Sequence, residues 1–117
     1  MADKMNVVTV GVASAEDVGD RMRRAFRGRA QGAFISFASV DLLWQVLAPK
    51  RWQILRAMTG AGPLALREVA RRVGRDVKSV HGDVQTLLKA GVLERSADRR
   101  IVFPYDEVRV DFTLRAA

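Results

Sequence analysis

The chain has 117 residues, 49% of them hydrophobic, enough for one modest core and too little for several domains. It has no cysteine, which excludes a disulfide framework and a thiolate metal site, and its net charge of +7 favours an anionic partner. The charge is uneven: residues 1–48 hold six basic and five acidic side chains, residues 49–100 twelve and five, and residues 101–117 two and three.

Met5 to Val12 is valine-rich and short enough for a strand. The opening MADKMNVVTV is too brief an apolar run for a signal peptide or a membrane span, so a cytoplasmic, nucleoid-associated protein is expected, with no membrane partner. Ser14 and Asp17 have the spacing of a capping box and open a predicted helix with Ala15, Val18, Met22, Ala25 and Phe26 on one face. Its other face carries Arg21, Arg23, Arg24 and Arg27, and Gly28 and Gly32 end it. Ala33 to Phe37 predicts a second strand. A two-stranded unit with an apolar first strand is marginal alone. Residues 1–38 are therefore expected to serve as an oligomerisation or partner-binding unit, with a homodimer as the first expectation.

Ser39 caps a short predicted helix through Val40, Leu42, Leu43, Val46 and Leu47, and Pro49 stands at the favoured first position of the next, which runs to Gly60. Two further helical patterns follow. Leu66, Val69, Ala70 and Val73 fall at i, i+3, i+4 and i+7, and Gly74 ends that helix. Asp76 caps the next, in which Val77, Val80, Val84, Leu87 and Leu88 form the apolar stripe and Gly91 marks the end. The opposite face carries Lys78, Ser79, Gly82, Thr86 and Lys89, with Arg75 just ahead of it. His81, the single histidine, lies beside the stripe, where a core-edge role and a phosphate or base contact both fit.

Val92 to Arg95 and Arg99 to Phe103 flank a polar turn and predict a two-stranded hairpin with Arg99 and Arg100 at its tip. Two helices meeting at a short turn, then a basic hairpin, is the order of a winged helix-turn-helix. Residues 39–117 are assigned to that domain, and the fold class is α+β. In this reading Arg71, Arg72, Arg99 and Arg100 meet phosphates, Lys78, Ser79, Gln85 and His81 reach bases of double-stranded DNA, and Arg75 also faces the DNA. Beyond it, Val108, Val110 and Phe112 alternate with Arg109 and Asp111 in a last strand, expected to extend the hairpin or cross to a partner. Asp106, Glu107 and Asp111 read as its wet face, not as a metal site. No cofactor, metal or catalytic constellation is expected.

The segments ISFASVDLLWQVLAPKRWQILRAM, GPLALREVARRVGRDVKSVHGDVQTLLKAGVLER and IVFPYDEVRVDF together resemble a family of small predicted transcriptional regulators of bacteria and archaea. The most specific elements are Pro49-Lys50-Arg51, the LREVARRVGRD turn, Val80-His81 with Asp83-Val84, and PYDEVRVDF. The resemblance implies a winged helix-turn-helix core, with Lys78, Ser79 and His81 at the DNA-facing start of the recognition helix. It also implies an autorepressor that is the antitoxin half of a toxin–antitoxin pair, acting on its own promoter. The alternative it leaves open is a protein-interaction module whose main task is to neutralise a partner toxin. Gly82 departs from the pattern, which leads one to expect a larger, often basic, residue there.

Overall fold

The computed structural model describes residues 5–12, 33–114 and 116. The helix predicted to open at Ser14, with its arginine face, lies outside them. The described elements run β1 (Val7–Val12), β2 (Ala33–Phe37), α1 (Val40–Val46), α2 (Pro49–Met58), α3 (Leu66–Val73), α4 (Val77–Lys89), β3 (Glu94–Arg95), β4 (Ile101–Val102) and β5 (Glu107–Asp111). The chain is a mixed α+β protein.

β1 is the centre of a three-stranded sheet in the order β2-β1-β5, parallel on both sides. Its valine-rich run suits the central strand of a parallel sheet, where near-continuous apolar runs are the rule. Val8 and Val10 are fully buried, and the register sets them beside Val108 and Val110 on one side and Ala33 and Ile35 on the other. Gly11 is required here, because a Cβ at that position would run into the Asp111 carbonyl of β5. The ladder starts at a clip between two distant segments. The Asp106 carboxylate accepts from the Asn6 amide at 3.0 Å, and Asp106 donates back to the Asn6 carbonyl at 2.7 Å. The last strand thus does not extend the hairpin but pairs with β1. It supplies the third strand that makes the N-terminal pair viable.

The helices begin and end where the sequence places its caps. The Ser39 hydroxyl accepts from Leu42 N at 3.1 Å, Pro49 opens α2, and the Asp76 carboxylate accepts from Ser79 N at 3.0 Å. Gly74 takes φ 68°, a left-handed turn that lets α3 stop and α4 set off in a new direction. Ile54, Leu55 and Met58 of α2, Val69 and Ala70 of α3, and Val80, Val84 and Leu87 of α4 all face inward. β3 and β4 pair antiparallel, and Leu64 bridges to Ile101 through two 2.8 Å hydrogen bonds, so the hairpin is tied to the loop ahead of α3. Leu93, Ile101 and Phe103 carry the hairpin's root into the same core. Each such side chain contributes roughly 1.5–3 kcal/mol by leaving water. Val8, Val10, Phe37, Leu43 and Leu47 belong to that one cluster, so sheet and helices share a single core. Among the described residues, no helix is long and apolar enough to cross a membrane.

Candidate nucleic-acid interface

The outward face of α4 is polar and has no free carboxylate. At 100° per residue, Lys78, Gly82, Gln85, Thr86 and Lys89 fall opposite the buried Val80, Val84 and Leu87, with Ser79 and His81 on the two flanks. Lys78, Ser79, His81, Gly82 and Lys89 are exposed, while Gln85 and Thr86 are half-buried. His81 is exposed at the border between the apolar stripe and the outer face. Its Nε2 lies 3.3 Å from Gln85 Nε2 one turn on, so the two form a polar pair along the helix. Beside Gly82 nothing would obstruct a Cβ, which leaves a flat, open stretch in the middle of the face. Val77, predicted on the apolar stripe, is 41% exposed because it is the first residue of the helix and precedes the part that α2 and α3 cover.

The acids near α4 are both engaged. Asp76 caps the first turn. Asp83 sits on the shoulder of the helix and accepts from Arg51 Nε at 3.1 Å and Arg75 Nη2 at 2.6 Å. The same Arg75 nitrogen reaches Ser79 Oγ at 2.7 Å, and Arg51 Nη1 donates to the Gln45 carbonyl at the end of α1 at 2.7 Å. A chain of charge-assisted bonds thus runs from α1 through α2 to the start of α4 and fixes how α4 sits. Only 17% of the Arg75 side chain and 16% of the Asp83 side chain is exposed. Arg75, expected to contact DNA, is a positioning residue in this structure, and its Nη1 is buried without a hydrogen-bond partner. Arg51 and Asp83 are the residues that sequence reasoning missed in this role. Their spacing of 32 residues gives no local signal, although an acid one residue before a buried valine is a hint.

Arg71 and Arg72 lie exposed at the end of α3, and both are held by Glu68, Arg71 Nη2 at 2.5 Å and Arg72 Nε at 2.8 Å. These two hydrogen bonds hold the Glu68 carboxyl down to about 2, well below its ordinary 4.5. The same partner raises Arg71. The hairpin tip is a tight turn in which Ser96 N donates to the Arg100 carbonyl at 2.9 Å and Arg99 N to the Ser96 carbonyl at 3.1 Å. Arg99 takes φ 68°, unusual for a residue with a Cβ, and stands exposed. Arg100 pairs with Asp98 at 3.1 Å, both more than half exposed. The Ser96 hydroxyl, and after it Arg100, lowers the Asp98 carboxyl. Lys78 and Arg99 have no ion-pair partner among the described residues. No group of three or more His, Asp or Glu side chains there is placed to hold a metal ion.

Residues 46–110, more than half the chain, match the HVO_A0114 family model, and the chain belongs to the HVO_A0114 family. The matched span runs from the last residue of α1 into β5 and leaves β1 and β2 outside. No curated protein matches the chain. A solved structure of a protein with unknown function from Listeria innocua Clip11262 is similar at 17% identity and a TM-score of 0.44, over 75% of this chain and 61% of that one. This chain thus spans less than two thirds of that protein's length.

Proposed function

We propose that α2 to β4 form a winged helix-turn-helix that binds double-stranded DNA, with α4 in the major groove and the β3–β4 hairpin as the wing. The observation that carries this reading is the outer face of α4. Lys78, Ser79, His81 and Gln85 point away from the core, and both nearby acids are turned to other work. Such a face can meet the negative groove without a repelling carboxylate, and its hydroxyl, imidazole and amide groups suit base edges. Arg99 and Arg100 at the wing tip, and Arg71 and Arg72 once released from Glu68, would supply sequence-independent phosphate contacts. Action as a repressor of its own promoter, and service as an antitoxin, rest on the family resemblance alone.

The test is titration of the full chain against its own upstream DNA and a scrambled duplex across a range of salt. Preference for the upstream duplex that persists at physiological salt supports a sequence-specific regulator. Equal binding to both that vanishes with salt would reduce the finding to a basic surface.

A further inference from the structure

β5 is an edge strand. In the order β2-β1-β5 it has β1 on one side, and among the described residues nothing pairs with the other. Glu107 N donates to the Asn6 carbonyl at 3.2 Å, which fixes the phase of the ladder. In a parallel ladder alternate residues serve the same neighbour, so residues 107, 109 and 111 spend their backbone groups on β1. The N–H and C=O of Val108 and Val110 therefore face outward, as a template for another strand.

The side chains on this edge sort cleanly by face. Val108 and Val110 share the apolar face with Val8 and Val10, and Phe112 follows them, stacked edge-on against Trp44 at 5.7 Å. That face is not fully covered. Val110 is 41% and Trp44 53% exposed, and both border a groove of about 330 Å3 completed by Leu43, Leu47, Pro49 and Trp52. Glu107, Arg109 and Asp111 line the opposite face with alternating charge.

We infer that β5 pairs antiparallel with β5 of a second copy, about a two-fold axis at Val110, so that two sheets become one of six strands. In this register Val110 meets its own counterpart, Val108 meets the partner's Phe112, and Arg109 meets the partner's Asp111. The contact is isologous, so each of the last two pairings occurs twice. Charge disfavours one neighbouring register, and the engaged Asp106 disfavours the other. An axis at Arg109 would oppose arginine to arginine and Glu107 to the partner's Asp111. An axis at Val108 would set Val110 against the partner's Asp106, whose carboxylate and amide already serve Asn6. The alternation of charge is complementary to itself in the Val110 register, which is why the occupant is another copy of this chain. The pairing uses no residue of the proposed DNA face and stands independently of it.

Sedimentation velocity on the full chain tests this. The expected mass is twice 13.0 kDa. Val110→Pro should give a monomer with an unaltered circular dichroism spectrum and a melting temperature that no longer depends on protein concentration, because the lost N–H faces outward and edge strands tolerate proline. Arg109→Asp should weaken dimerisation about tenfold, since both symmetric charge pairs turn from attraction to repulsion. Arg109→Asp combined with Asp111→Arg should recover it. A monomer at every concentration, a dimer indifferent to Val110→Pro, or a combined swap that recovers nothing would overturn the inference. If Val110→Pro fails to fold, the charge swap alone decides.

Discussion

Arg75 and Arg99 are both turn arginines of the basic half, and the fold uses them in opposite ways. Arg75 lies between α3 and α4, is four-fifths buried, and holds Asp83 and Ser79. Arg99 sits at the hairpin tip in a left-handed backbone conformation, exposed and without an ion-pair partner among the described residues. The two count equally toward net charge. Only the second can shed a counterion shell onto phosphate without first breaking a bond inside the protein. Charge density thus says where to look for an anion-binding face. Which cations are available there depends on where the acids have been placed, and Asp83 is the residue that divides the two groups.

The comparison is broken most forcefully at Asp83. Asp83→Ala leaves Arg51 and Arg75 half-buried without an anion. Urea denaturation should show a loss of about 2–3 kcal/mol, below the roughly 3–5 kcal/mol of a fully buried pair because solvent reaches part of this one. Lys78→Ala should do the reverse, leaving the urea midpoint in place and weakening DNA binding by about 1–3 kcal/mol in a titration at fixed salt. A matching loss of stability would show that Lys78 belongs with the structural group.

Arg99→Gly sharpens the contrast at the hairpin. Glycine accepts the left-handed conformation freely, so stability should hold or rise by about 0.5–1 kcal/mol. The slope of log affinity against log salt should fall by about 1. The smallest effect is expected at Glu68. Its folded pKa of about 2 lies below the ordinary 4.5, so the pairing stabilises α3 fully above about pH 4.5 and is lost as pH falls toward 2. The difference in melting temperature between the protein and its Glu68→Gln variant should therefore shrink between pH 5 and pH 2. Because that variant frees Arg71 and Arg72, it should also bind DNA a few-fold more tightly at low salt.

Local signals carried far along this chain. Asp76, Gly74 and Pro49 announced helix ends through their own backbone chemistry, and the apolar spacing of Val80, Val84 and Leu87 named the buried side of α4 before any contact was known. Ala33 to Phe37 was legible as a strand for the same reason. What stayed hidden was pairing between distant segments. Alternation marks Val108, Val110 and Phe112 as a strand, but the choice of β1 as its neighbour depends on a clip between residues 100 positions apart. The role of Arg75 was hidden likewise, because its partner lies eight residues on and is shared with an arginine of another helix. Val77 was misplaced by periodicity alone, since a stripe continues past the point where neighbours stop covering it.

The same long-range clip bears on the order of folding. β1 leaves the ribosome well before β5, yet both the Asn6–Asp106 clip and its pairing with β5 must wait until the segment near residue 106 has been made. The helices and hairpin close shorter loops, so the least chain entropy is lost by assembling them first. Through that interval the valines of β1 stay without their eventual cover. The sheet is thus expected to be the last part to form and the first to come apart, and the dimer seam on β5 can exist only after it has closed.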